Sequence, residues 1–279
     1  MKCVIAAGMV LFGASLIQAQ SPEPPHILRI FREDIKSGKG LAHVRVESAY
    51  ARAFSKSGYP WYLGLGSITG TTQAWFLESH DSWESLEKAI HTTEAEPLKS
   101  TLDQLDVQDG ELRTGERQMI ATYQKDLSYL PVPSSLIKAR FFSINTIHVR
   151  PGHGVDFDAM RKLVNAAFEK SGSKQRRVVY SVNSGAAAGT YLILSAMDSL
   201  KTLDPGPSPM GMADAFGASL DQYRKLQAEV IASSESALFA INPKMSNPPK
   251  EFLTADPDFW APKAKPAAAK PAAKPTGAQ

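Results

Sequence analysis

The chain has a single cysteine, Cys3, in 279 residues. That excludes an internal disulfide and a multi-thiolate metal centre, and once the first residues are removed it also excludes a cysteine nucleophile. After residue 20 no apolar run reaches the ~18 residues of a membrane span, so no integral membrane segment is expected in the body. There is no G-x-S-x-G elbow. The Ser-x-x-Lys pairs Ser85/Lys88, Ser135/Lys138 and Ser171/Lys174 lack the companion motifs of serine acylases. Gly64 and Gly66 lead into a strand pattern rather than a helix, which excludes a dinucleotide loop. Six histidines form no His/His pair at i,i+4, so the spacing implies no dedicated metal site. A basic face for nucleic acid is missing as well. Setting aside Lys2 and the four tail lysines Lys263, Lys265, Lys270 and Lys274 turns the formal +3 into −2 for the remainder.

What is present is a composition, 43% hydrophobic and 21% charged, that suits a globular core. Met1-Lys2, the apolar run Val4 to Ile17 and Ile17-Gln18-Ala19 read as a signal peptide over 1–19. The expectation is an exported protein, periplasmic or secreted, of bacterial type; an export route without a disulfide framework fits a periplasm. At the other end, 246–279 reads as an extension. Phe252, Phe259 and Trp260 are placed to fold back on the body, and an Ala/Lys/Pro tail from Ala261 cannot bury enough to order itself. Its lysines suit contact with an anionic cell-wall or membrane surface.

The body is organised by a pattern that occurs twice. Phe141 to Val149 reads as a strand, Arg150-Pro151-Gly152-His153-Gly154 as a turn, and Val155 to Lys170 as a helix closing on Ser171-Gly172. At a constant offset of 114 residues stand the strand Ile27 to Ile35, the turn Lys36-Ser37-Gly38-Lys39-Gly40 and a helix closing on Ser57-Gly58. Each copy continues with a hairpin: Trp61 to Gly66 with Gln73 to Leu77, and Arg177 to Val182 with Thr190 to Leu194. A helix capped at Asp81 or Ser82 follows in the first copy and is broken by Pro97. In the second, Pro205, Pro207 and Pro209 precede a helix expected over Met212 to Ser233. Gln118 to Tyr123 and Ala237 to Ile241 end the copies as strands. The fold class is therefore α+β, two tandem ferredoxin-like β-α-β-β-α-β units over 20–130 and 137–245, joined by a hinge at 131–136.

The basic-x-Gly-x-Gly turns, Ile35 to Gly40 and Val149 to Gly154, sit after the first strand of a β-α-β-β-α-β unit. In this the chain resembles the dimeric α/β barrel superfamily, with its antibiotic biosynthesis monooxygenase-like and NIPSNAP-like branches. The resemblance implies that the two units pair their sheets face to face as an intramolecular α/β barrel around one cavity. Each sheet with helices on one face needs cover on the other, which agrees. The superfamily has haem-binding and chlorite dismutase-like members, but no haem-ligand motif surrounds His148 or any other histidine here. No cofactor is implied, and haem is left open.

On this placement Ile144, Thr146, His148 and Arg150 face the cavity, matched by Ile30, Arg32, Asp34 and Lys36. Asp34 beside His148 would make an acid/base pair, and Arg32 would hold an anionic or enolate oxygen. Trp61, Tyr62, Trp75, Tyr180 and Tyr191 would line a pocket for a flat apolar ligand. The first expectation is an exported protein that binds a small apolar or aromatic molecule between the two repeats. A cofactor-independent monooxygenase- or isomerase-like enzyme is the alternative, and a structural or assembly role the third.

Overall fold

The computed structural model describes residues 23–130, 136–204 and 212–261. The expected signal peptide, nearly all of the hinge, the Pro205–Pro209 run and the Ala/Lys/Pro tail lie outside those residues. The first half runs β1 (Ile27–Ile35), α1 (Gly40–Ser57), β2 (Tyr62–Ser67), β3 (Gln73–His80), α2 (Trp83–Thr93), α3 (Leu98–Gly110) and β4 (Arg113–Tyr123). The second runs β5 (Phe141–Val149), α4 (Gly154–Lys170), β6 (Val178–Ser184), β7 (Thr190–Met197), α5 (Met212–Phe216), α6 (Leu220–Val230) and β8 (Ile231–Ile241). Two short helices, α7 (Lys250–Ala255) and α8 (Pro257–Trp260), complete the described chain.

The eight strands close into an antiparallel barrel in the order β1-β3-β2-β8-β5-β7-β6-β4. Each half contributes four neighbours, and the seams are β2 against β8 and β4 against β6. Alternation along the strands sorts the side chains. Leu28 and Ile30, Leu63 and Leu65, Trp75 and Leu77, Met119 and Ala121, Phe142 and Ile144, Tyr180, Leu192 and Leu194, and Phe239 and Ile241 form one buried cluster. Only the barrel interior can bring alternate residues of all eight strands together. Trp75 and Phe239 meet there with ring centroids 5.3 Å apart. These bulky side chains from every strand occupy the space between the halves where a ligand cavity is expected from the sequence.

Local signals explain the element ends. Ser82 caps α2 by accepting from the Ser85 backbone N–H, and the Ser85 hydroxyl answers the Ser82 backbone. Gly58 ends α1 at φ 71°, a left-handed conformation that a Cβ disfavours. The long last helix expected to Ser233 is shorter: Ile231 already pairs with Val149, so β8 begins there. The Ser-rich run Ala232 to Ser236 has little helix preference to oppose that pairing. The last strand of the first half likewise starts earlier than Gln118, at Arg113, opposite Ile35.

One end of the barrel is closed by the C-terminal segment. Phe252 and Trp260 are buried in the interior cluster with Trp61, Ile137 and Phe259 packed against it. The Trp260 indole N–H donates to the Ile137 carbonyl at 2.9 Å. Gly64 lets this segment approach: a Cβ there would stand 2.4 Å from the Met245 carbonyl oxygen.

Candidate functional site

The outer faces of the two halves are built differently. Under α4 and α6 the second half packs an apolar layer of Val149, Phe157, Met160, Val179, Ile193 and Val230. The first half has a smaller apolar patch of Ile35, Tyr62, Ala74, Phe76 and Met245, and beside it a cavity of about 480 Å³. The cavity lies between α1, α3 and the outward face of the sheet, away from the barrel interior. Phe31, Phe54, Tyr62, Phe76 and Leu102 supply its apolar walls. Arg29, Glu33, Glu47, Tyr50, Asp106, Arg113, Glu116 and Gln118 supply its polar ones, with Tyr59 and Glu78 nearby.

Strand and helix periodicity bring five charged or titratable side chains together at one end. Glu33 faces outward on β1, one residue out of phase with the interior Ile30. His43 and Glu47 stand one turn apart on α1, and Asp109 and Arg113 one turn apart across the end of α3. The His43 Nε2 lies 2.7 Å from Glu33 Oε2, 3.6 Å from Asp109 Oδ1 and 3.9 Å from Glu47 Oε1. Arg113 donates to Glu33 Oε1 at 3.1 Å and to Asp109 Oδ2 at 3.0 Å, and also pairs with Glu116. All four acids and bases inside this arc are buried: Glu33 6%, His43 2%, Glu47 5% and Asp109 1% exposed.

Burial sets the electrostatics. It raises the Glu47 carboxyl well above its ordinary range, and the charges of Glu33 and Asp109 add to the effect. Asp109 is raised to about 6, first by burial and then by Glu33, with His43 and Arg113 pulling the other way. Two further groups lack partners. The Asp109 Oδ1 and the Tyr62 hydroxyl are buried without a hydrogen bond among the described residues, although buried polar atoms are normally paired.

A second polar unit sits at the other end of the cavity. The His80 Nε2 is 2.6 Å from Glu78 Oε1, and the Tyr59 hydroxyl donates to Glu78 Oε2 at 3.0 Å. Burial, and then the Glu78 charge, push the Tyr59 phenol up. The other ring nitrogen of His80, Nδ1, is buried without a hydrogen-bond partner among the described residues.

The residues singled out in the sequence are distributed elsewhere. Asp34 and Arg32 on β1, and Thr146 and His148 on β5, do face inward at the open end of the barrel. Yet β1 and β5 are four strands apart in a ring of eight, so they stand on opposite walls. Asp34 accepts from the Gln73 amide at 2.6 Å, Arg32 lies 5.2 Å over the Trp75 ring, and His148 meets the Thr190 hydroxyl at 3.3 Å. No acid/base contact joins Asp34 to His148. The five aromatics are also separated. Trp75 and Tyr180 are barrel core, Trp61 packs under the C-terminal cap, Tyr191 stacks on Phe157 at 4.3 Å, and Tyr62 alone lines the cavity. The sequence reading missed the charged cluster because it sought His/His pairs. The available signals were mixed pairs at i,i+4, His43 with Glu47 and Asp109 with Arg113.

No protein-family model matches the chain, and no curated protein matches it. Solved structures do. An anthrone oxidase-like protein superposes with a TM-score of 0.53 at 14% identity, covering 79% of this chain and 92% of its own. A protein from Lactobacillus acidophilus, provisionally named a monooxygenase, gives 0.50 at 8% identity, covering 78% and 94%. A similarly named protein from Fusobacterium nucleatum gives 0.50 at 11%, covering 79% and 94%. At these identities the likeness establishes the fold, a dimeric α/β barrel of ferredoxin-like type, with all eight strands here in one chain.

Proposed function

We infer that the chain binds a small aromatic molecule bearing hydroxyl or carbonyl oxygens, and that it does so in the lateral cavity under α1 and α3. The carrying observation is the make-up of that cavity: about 480 Å³, with aromatic rings on one side and buried polar groups on the other. Among those groups the Tyr62 hydroxyl lacks a protein partner. Pockets of this size with an apolar body and a few convergent polar groups hold flat organic ligands. The packed barrel interior speaks against the site between the halves.

Catalysis on that ligand is the second reading, favoured by the Glu78–His80–Tyr59 unit on the cavity wall. A carboxylate that orients an imidazole and a phenol is a proton-handling arrangement. The names of the fold neighbours, a monooxygenase and an anthrone oxidase-like protein, agree with an oxygenated aromatic substrate.

Titration calorimetry with 1,8-dihydroxyanthraquinone as probe tests the site. Leu102→Trp, which fills the cavity from α3, is expected to abolish binding with the melting temperature preserved. His148→Gln, at the barrel mouth, is expected to leave binding unchanged. The opposite pattern would return the site to the barrel.

We further propose export through residues 1–19, and an origin of the two halves in duplication of one ferredoxin-like unit. The 114-residue offset that pairs Gly38 with Gly152 and Phe54 with Phe168 supports the latter. Cell fractionation with N-terminal sequencing of the mature chain tests the former. Recovery of the intact N-terminus from the cytoplasm would refute it.

A further inference from the structure

We propose that Glu33, His43, Glu47 and Asp109 form a binding site for one divalent first-row cation of the Mn²⁺, Fe²⁺ or Zn²⁺ class, with Arg113 orienting two of the ligands. The donor atoms all lie within 4.8 Å of one another. From His43 Nε2 the carboxylate oxygens stand at 2.7, 3.6 and 3.9 Å. Ligands at about 2.0–2.2 Å from a shared ion stand roughly 3–3.5 Å apart, so side-chain adjustments of up to about an ångström close the shell.

Arg113 divides the labour between oxygens. It occupies Glu33 Oε1 and Asp109 Oδ2, which leaves Glu33 Oε2 and Asp109 Oδ1 turned toward His43. Outer partners of this kind fix the direction in which a ligating carboxylate offers its lone pairs. The Asp109 Oδ1 is the orphaned buried atom already noted, on a residue 1% exposed. Glu47, 5% exposed, places Oε1 3.9 Å from the His43 ring and also lines the neighbouring cavity. One buried carboxylate oxygen, Asp109 Oδ1, therefore has no hydrogen-bond partner among the described residues, and the Glu47 carboxylate lies within 4.8 Å of the other donor atoms. Glu33, Glu47, Asp109 and Glu116 surround the single guanidinium of Arg113, an excess of acidic groups that a divalent cation would offset.

The second half shows that the fold itself does not need this cluster. At the same offset Ile147 stands for Glu33, the fully buried Phe157 for His43 and Arg161 for Glu47. A phenylalanine fills the place under the helix there, stacked on Tyr191. Burying a histidine among three carboxylates, where a ring of carbon suffices, points to a ligand. One imidazole with carboxylate oxygens suits Mn²⁺, Fe²⁺ and Zn²⁺ better than Mg²⁺ or Ca²⁺, which prefer all-oxygen shells. The proposal does not depend on which organic molecule fills the neighbouring cavity.

The test uses the full chain stripped with chelator and titrated with MnCl₂, ZnCl₂ and MgCl₂, read by calorimetry and by the melting temperature. One equivalent of Mn²⁺ or Zn²⁺ per chain is expected, with a rise in melting temperature and clearly weaker Mg²⁺ binding. Glu47→Gln is expected to fold normally and to lose at least ~10–100-fold in affinity. Pulsed electron paramagnetic resonance of the Mn²⁺ form is expected to show a directly bound nitrogen that disappears in His43→Gln. His91→Gln, in the exposed Glu87/His91 pair, is the control for surface binding and is expected to change nothing. Stoichiometric binding that survives Glu47→Gln, Mg²⁺ bound as tightly as Mn²⁺, or no binding by a folded chain would overturn the proposal.

Discussion

Arg113 is the residue on which the charged cluster turns, because its guanidinium bridges Glu33 and Asp109. Removing one partner of a buried ion network leaves the rest uncompensated, which costs far more than exchanging the whole network for apolar packing. Arg113→Ala is therefore expected to destabilise the metal-free chain by about 3 kcal/mol in urea unfolding. The paired change Glu33→Ile with His43→Phe borrows the second half's solution and is expected to alter stability by no more than ~1–2 kcal/mol. A larger loss from the pair than from Arg113→Ala would mean that the cluster is required for packing. Part of the cluster was readable at this scale. His43/Glu47 and Asp109/Arg113 are helix-turn neighbours in sequence, whereas the meeting of the two pairs joins residues 62 positions apart and depends on α3 lying beside α1.

Among the elements, the C-terminal pair α7 and α8 is held by rings and by two ion pairs to Asp256. Arg140 reaches Asp256 and lies 3.7 Å over the Phe259 ring, and Lys138 meets Asp256 at 3.2 Å. Trp260→Ala is expected to cost about 3–5 kcal/mol, as large-to-small changes in cores do, and to expose the barrel end to a hydrophobic dye. Gly64→Ala forces a Cβ against the Met245 carbonyl and is expected to cost ~1–3 kcal/mol. The ion pairs also set a pH response. The Arg140 hydrogen bond holds the Asp256 carboxyl below its ordinary value, with Lys138 helping. A group whose folded pKa is lowered contributes stability above its unfolded pKa and loses it as pH falls through the folded one. The cap is thus expected to stay docked at neutral pH and to loosen below about pH 4. Acrylamide quenching of Trp260, taken by difference against Trp260→Phe, should rise in that window. Asp256→Asn should flatten the response; an unchanged response would sink the assignment to this carboxyl.

At the level of the whole molecule, both halves lend side chains to one interior cluster and share two seams, β2 with β8 and β4 with β6. Neither half covers its inward face alone, so the body is expected to unfold as one cooperative unit. Far-ultraviolet circular dichroism and tryptophan fluorescence should give coincident urea transitions. Two separated transitions would show that the halves stand independently. Export is also a matter of this scale, and its test examines the chain's processing rather than its site.

The order of elements was legible because strand alternation, helix periodicity and the Gly-rich turns are local: Leu28 and Ile30 on one face of a strand, Gly58 past the end of a helix. The same alternation put Arg32, Asp34, Thr146 and His148 on the inward face. What the sequence by itself determined was therefore the α+β order of elements and the side of each strand; the barrel was implied only by a resemblance. Tertiary structure decided the rest. Whether the barrel is hollow depends on how Trp75, Phe239, Tyr180 and their neighbours interdigitate, and whether Asp34 meets His148 depends on distances across eight strands. Glu33, His43, Glu47 and Asp109 become one site only when strand, first helix and third helix are packed together. Periodicity gives each side chain a direction, but only packing in three dimensions fixes what it meets.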